Sequence, residues 1–287
     1  MVKQENKEIS KLSNLEIGAH LLLPLAIVFL AISLCGSLIV SSLIIAQSIK
    51  QSGLSTNSTT ATINGTPAST TTTTPAVTVT SSQIKGLFTA NKYITFGDPN
   101  SKLLFVEFSD PSCPYCHVAG GHDPEVAKQF GTQFIYTSDG GTYIPPVTEM
   151  KKLVDSGKAA FAYIYTTGHG NGKLGMQALY CANDKGKFWQ VHDLLMNNAG
   201  YNLLNDTVKN DVANSSKLAD YLAPAIDKDF MKSCLQSGQY TTRVTTDEQS
   251  AGAFGVNGTP GFFVNTTAFN GAYSFKDMQP SVDAALK

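Results

Sequence analysis

Leu103-Leu104-Phe105-Val106-Glu107-Phe108, a short turn, and then Cys113-Pro114-Tyr115-Cys116 decide how this chain is read. The first six residues are an apolar run of strand length and read as a buried β-strand. Glu107 interrupts it, and its neighbours Val106 and Phe108 point to the opposite face of the strand. The two cysteines follow on what reads as the first turn of a helix. Thiols at that spacing can close a small disulfide and reopen it. The helix N-terminus favours the thiolate of the first, which makes Cys113 the attacking sulfur and Cys116 the resolving one. Cys-x-x-Cys by itself also occurs in zinc knuckles; placed directly after an apolar strand it points to redox chemistry.

The chain has 287 residues and a formal net charge of -1, so no strong field marks nucleic acid as a partner. Charged residues make up 15% of it, and Leu21 to Ala46 contains none. That stretch is about 26 residues, roughly 39 Å as a helix, against a hydrocarbon core of about 30 Å. It reads as a transmembrane signal anchor at 21–46, with Pro24 near its start. The alternative is a cleaved signal peptide, whose apolar region would be about 7–15 residues. Lys3, Lys7 and Lys11 precede the span; after Lys50 nothing basic follows until Lys85. This bias predicts a cytoplasmic N-terminus at 1–20 and everything beyond the span outside, in a single-pass topology in the lipid bilayer. The cysteine pair then lies where disulfides form and persist.

From Gln51 to Ser82 the sequence is mostly Ser and Thr, with Pro67, Pro75 and the run Thr70 to Thr74. Residues 47–84 therefore read as a flexible, O-glycosylated stalk. Sequons at Asn57, Asn64, Asn205, Asn214, Asn257 and Asn265 suit an exterior protein, although a Ser/Thr-rich chain generates them by chance. Residues 85–287 have globular composition and are enough for a sizeable core. Strands are predicted at Leu103–Phe108, Ala159–Tyr165, Gly261–Val264 and Ala268–Ala272. Helices are predicted at Cys113–Gly120 continuing through Pro124–Phe130, then Leu174–Ala182, Phe188–Asn197, Ser216–Leu222, Asp229–Gln236, Tyr240–Phe254 and Phe275–Leu286. Asp139-Gly140-Gly141 and Pro145-Pro146 break the pattern between the first two strands. A loop and a short helix around Val147–Asp155 are expected there, flanking the active site.

Glu107-Phe108-Ser109-Asp110-Pro111-Ser112-Cys113-Pro114-Tyr115-Cys116-His117 resembles the active-site segment of the DsbA-like thiol–disulfide oxidoreductases. Ala178-Leu179-Tyr180-Cys181-Ala182, Gly186 to Leu195 and Ser233 to Gly238 resemble that family's helical insertion. Gly255 to Asn265 resembles the segment holding its cis-proline. The similarity covers most of Leu103–Leu286, in the right order. It departs at the Gly-rich Val118–His122 and at Thr137–Gly157. The resemblance implies an α/β, thioredoxin-like fold with an inserted helical subdomain at about 168–250, preceded here by one N-terminal transmembrane helix.

It also implies roles. Glu107 occupies the family's buried-acid position, where a desolvated carboxyl would have a raised pKa and shuttle the Cys116 proton; the alternative is an ordinary solvent-facing strand residue. Pro260 is the cis-proline, and Thr259-Pro260 would face the cysteines and leave backbone open to an extended substrate. Pro114, Tyr115, His117 and Thr259 would line the substrate site, with His117 adding positive charge or lying partly exposed on the helix. No cofactor and no metal is called for. Partners would be reduced exported polypeptides and a membrane recycling oxidase of the DsbB or VKOR type, and Gln83–Asn100 is too short for a dimerisation domain, so a monomer is expected.

Of five cysteines, Cys35 falls in the span and receives no role. Parity pairs Cys181 with Cys234 in an oxidising compartment, the alternative being two buried free thiols. His20 borders the span, His122 and His169 lie in Gly-rich loops, and His192 reads as a satisfied structural histidine. Phe188 and Trp189 read as core. The expected function is a dithiol oxidase acting on exported proteins. Alternatives are an isomerase or reductase of the same fold, a metal carrier using Cys113, Cys116 and His117, covalent haem attachment through Cys-x-x-Cys-His, or a redox-inactive binding module. The last would require loss of a catalytic cysteine, and both are present.

Overall fold

The computed structural model describes residues 77–89 and 92–287, which belong to a unit running Thr72–Lys287. The expected cytoplasmic segment, the span 21–46 with Cys35, and the stalk up to residue 76 lie outside the described residues. Among the described residues no helix is long and apolar enough to cross a membrane.

The two central strands are β2, Leu103–Ser109, and β3, Ala159–Tyr165, and every residue in both is buried. They pair in parallel, Leu103 opposite Ala159 through Ser109 opposite Tyr165. Continuous apolar runs are what a parallel pair covered on both faces requires. β4, Gly261–Val264, runs antiparallel to β2, and β5, Thr267–Asn270, antiparallel to β4. A three-residue strand, β1, Ile94–Phe96, pairs antiparallel with β3, giving the order β1-β3-β2-β4-β5. β1 is too short for its periodicity to stand out in the sequence. The last strand ends two residues before the predicted Ala272, because the Gly271 N–H turns back to the Pro260 carbonyl.

Alternation along β2 and β3 divides the core. Leu104, Val106, Phe108, Ala160, Ala162 and Ile164 pack on one face with Ile84, Leu87 and Phe88 of helix α1, Ser81–Thr89. That helix corrects the predicted stalk boundary at residue 84. Thr80 and Gln83 form a capping box: the Gln83 N–H donates to Thr80 Oγ1 and the Thr80 N–H to Gln83 Oε1. Folded structure therefore begins inside a segment that composition alone assigns to the stalk.

The opposite face of the sheet carries Leu103, Phe105, Phe161, Tyr163, Tyr165, Phe262 and Val264, and most of the helices that follow cover it. After β2 come α2, Pro114–Gly120, and α3, Pro124–Gln129. The predicted continuation from one into the other is broken at Gly121, which has a φ of 83° and a position whose Cβ would lie 2.7 Å from Pro145. Helix α4, Pro146–Asp155, matches the short helix expected before β3. The segment preceding it flanks α2 as expected, through the Tyr136 hydroxyl, which lies within 3.2–3.3 Å of the carbonyls of His117, Val118 and Asp123.

The inserted helices between β3 and β4 are α5, Lys173–Asn183; α6, Phe188–Leu195; α7, Asn198–Asn202, running into a π-helical turn at Leu203–Val208; α8, Ser215–Leu222; α9, Lys228–Ser237; and α10, Thr241–Ser250. Helix α11, Phe275–Leu286, closes the chain. Cys181 of α5 and Cys234 of α9 form the expected disulfide, with Cα atoms 6.2 Å apart and a sequence separation of 53.

Candidate active site

Cys113 is the N-cap of α2, with φ -81° and ψ 125°, and Pro114 follows at the first helical position. The Cys116 and His117 N–H groups close the first turn on the Cys113 carbonyl at 3.0 and 3.2 Å. Both active-site thiols are free; Cys113 is 5% exposed and Cys116 fully buried, with Met196 packed beside them. One sulfur thus borders the surface and the other lies one turn inside.

Their chemistry is asymmetric. The Cys113 thiol is lowered to about 7. The Cys116 thiol hydrogen-bonds its thiolate, and the Thr259 contact and the N–H groups of Cys116 and Tyr115 add to this, together outweighing burial. Burial pushes Cys116 well up, and the hydrogen bond it gives Cys113 and the charges of Cys113 and Glu107 push it further. Cys113 is therefore the available nucleophile and the better leaving group, and Cys116 must be supplied with or relieved of a proton.

Glu107 stands where that proton can go. It is fully buried on the β2 face that also carries Phe105, opposite Tyr163 on β3. Neither carboxyl oxygen has a hydrogen-bond partner among the described residues. Burial raises its carboxyl to about 8, with only a small opposing effect from Ser109. The solvent-facing reading of Glu107 is excluded, and the raised value expected for a desolvated acid is found.

The Thr259–Pro260 peptide bond is cis, as the resemblance implies. The Cys113 thiol donates to the Thr259 carbonyl at 3.5 Å. A groove of about 290 Å³ starts there, lined by Gly255, Asn257, Gly258, Thr259, Pro260, Asn270 and Gly271. Tyr115 is exposed beside the cysteines and lies edge-on to Phe130 and Phe134, at 5.0 and 5.8 Å. Thr259 and Tyr115 thus both lie beside Cys113, the first at its thiol and the second exposed.

Two other predicted substrate contacts are corrected. Pro114 is buried and serves to open the helix. His117 is fully buried and faces away from the thiols: its Nε2 donates to the Pro111 carbonyl at 2.8 Å, and its Nδ1 lies 3.3 Å from Asp123. The turn that buries Cys116 carries the next residue into the protein as well. Nε2 is taken by the Pro111 carbonyl and Nδ1 is turned to Asp123, so the structure gives no support for His117 as the third ligand of a Cys/His carrier.

Asp110 was not singled out in the sequence, yet it holds the site in place. Its Oδ1 accepts from the Ser112 N–H and hydroxyl at 2.8 and 2.7 Å. Its Oδ2 accepts from the N–H groups of Gly168, His169 and Gly170 at 2.9, 2.9 and 3.2 Å. The loop after β3 is thereby tied to the turn before Cys113. Gly168 is required there, because a Cβ would lie 1.7 Å from Thr259 Oγ1. Asp-Pro-Ser ahead of a cysteine motif is the available signal; the partner loop, about 58 residues on, is not visible locally.

A thioredoxin family model matches residues 148–284, a range that begins after the cysteine motif. Among solved structures, a variant of alpha-DsbA1 from Wolbachia pipientis is similar with a TM-score of 0.53 and 15% identity, over 72% of this chain and 96% of that one. The thiol-disulfide exchange protein alpha-DsbA2 from the same organism gives a TM-score of 0.51 and 18% identity, over 71% and 92%. Among curated relatives, Na(+)/H(+) antiporter NhaA 1 of Salinispora arenicola is 27% identical over 194 residues, 66% of this chain and 24% of that protein. The chain spans about a quarter of the length of that relative. The matched segment, the sheet order and the similarity to these solved structures give the chain a thioredoxin-like fold with inserted helices, the fold it shares with the two DsbA-type structures.

Proposed function

We propose that this protein is a membrane-anchored, extracytoplasmic dithiol oxidase that introduces disulfides into exported polypeptides. The observation that carries the reading is the split between the two thiols, with Cys113 lowered to about 7 and Cys116 raised above a buried Glu107. Beginning from the Cys113–Cys116 disulfide, a substrate thiolate attacks Cys113 Sγ. A substrate–Cys113 disulfide forms, and Cys116 leaves as a thiolate that takes the Glu107 proton. The second substrate thiolate then attacks the substrate sulfur of the mixed disulfide. The substrate disulfide forms, Cys113 leaves as a stabilised thiolate, and the two electrons remain on the enzyme dithiol. A stable Cys113 thiolate favours this direction because it is a good leaving group.

The groove beside Thr259 suits an extended substrate segment, and Tyr115, exposed next to the cysteines, offers it an aromatic ring. Reoxidation calls for a membrane partner of the DsbB or VKOR type, which the uncharged stretch 21–46 would keep in the same bilayer. A glutathione titration of the Cys113–Cys116 couple tests the direction. A potential well above thioredoxin's ~-270 mV is expected; a value below about -250 mV would make the protein a reductase instead.

A further inference from the structure

Behind the active-site helix, three side chains with metal-ligating chemistry converge, and the redox mechanism uses none of them. His122 follows Gly121 at the end of α2; His192 and Asp193 lie near the end of α6. One oxygen, Asp193 Oδ1, lies 3.1 Å from His122 Nε2 and 3.0 Å from His192 Nδ1. One ligand atom from each residue falls within 4.8 Å of the others. Sequence reading gave His192 a purely structural role and left His122 in a loop, since about 70 residues separate them.

We propose that His122, His192 and Asp193 form a binding site for a divalent cation of the zinc class. In a tetrahedral Zn²⁺ site with bonds of about 2.0–2.2 Å, neighbouring ligand atoms lie about 3.3–3.5 Å apart. Two of the three edges are already within about 0.5 Å of that, and insertion of the ion requires the third to adjust. The donor set is two imidazoles and one carboxylate, which suits zinc and disfavours calcium or magnesium.

The partners are unequally mobile. His192 is fully buried and gripped by aromatic rings, stacked on Phe188 at 5.6 Å and edge-on to Trp189 and Tyr163 at 5.4 and 5.8 Å. Asp193 Oδ1 already receives both histidine rings. His122 is one-third exposed and Asp193 is 42% exposed. Water can complete the fourth position. Occupancy would tie the far end of the active-site helix to the helical insertion.

The experiment is a calorimetric Zn²⁺ titration of the untagged full chain in detergent, with Cys113–Cys116 oxidised so that the thiols cannot bind. One ion per chain is expected, with affinity at least tenfold weaker in His122→Ala and in Asp193→Asn. Both substitutions are at partly exposed positions, and His169→Ala, which removes an exposed histidine outside the cluster, should bind like the unmodified chain. Absence of zinc binding, a loss smaller than tenfold in the two cluster variants, or an equal loss in His169→Ala would overturn the site.

Discussion

The Cys113 thiol lies 3.5 Å from the carbonyl oxygen of Thr259, 146 residues further along the chain. This contact brings the nucleophile to the mouth of the groove that would receive a substrate. The Cys113 sulfur and the Thr259–Pro260 backbone are positioned by one sheet, with β2 leading into α2 and the Thr259 loop leading into β4, its antiparallel neighbour.

Alkylation of the reduced protein should report the asymmetry directly. Cys113 is expected to react with a rate that rises through a midpoint near pH 7, where its thiolate forms. Cys116 should stay unmodified in the folded state. Equal reactivity of both thiols, read by mass spectrometry, would contradict the geometry. Cys113→Ser should reduce oxidation of a dithiol peptide to background.

Glu107 should make stability fall with rising pH. Its carboxyl stands at about 8 in the folded protein against 4.5 for an unperturbed one, so the folded state holds an extra proton between those values. The stabilisation is complete below pH 4.5 and lost as pH rises through 8. At about 1.4 kcal/mol per pH unit, the oxidised protein should lose about 3–5 kcal/mol relative to Glu107→Gln between pH 5 and 8.5. Urea unfolding at both pH values measures this; parallel pH dependences would remove the buried-acid assignment. The same variant should slow release of Cys116 about 10²-fold or more in single-turnover kinetics.

Removing the Cys181–Cys234 bond by a double Cys→Ala change should cost about 4 kcal/mol, the chain-entropy value for a loop of 53 residues. In the unmodified protein, mild reductant should open Cys113–Cys116 first, since Cys113 is the better leaving thiolate, its thiol being lowered to about 7. Trapping after graded reduction would show the order.

Asp110→Ala should destabilise the protein by about 3–5 kcal/mol, because five donors from two segments lose their acceptor. Denaturant midpoints check the magnitude. Hydrogen exchange should show the Gly168, His169 and Gly170 amides losing protection; unchanged protection there would mean that the loop is held by other contacts.

A fragment comprising residues 77–287 should fold and oxidise a small dithiol peptide unaided, since α1 and the sheet it covers lie within it. A fragment beginning at Lys85 loses the Thr80–Gln83 capping box and should be less stable by about 1 kcal/mol or more. Thermal melts of the two fragments compare them.

Local pattern was enough for much of this. The apolar runs at 103–108, 159–165 and 261–264 name the central strands because burial on both faces leaves no room for polar residues. Cys-x-x-Cys after such a run names the reactive pair, and parity, with the exterior setting expected from the uncharged stretch, names Cys181–Cys234. Glu107 was legible as a charged residue inside an apolar strand. What the sequence could not supply depends on contacts between distant segments. The burial of His117 follows from how deep α2 sits, the hold of Asp110 depends on a loop that arrives from beyond β3, and α1 is hidden because its cap is built from the same Ser/Thr residues as the stalk. The meeting of His122 with His192 and Asp193 was also decided in three dimensions. Periodicity fixes which face of an element is buried, but only packing of one element on another determines which polar groups that burial brings within reach of each other.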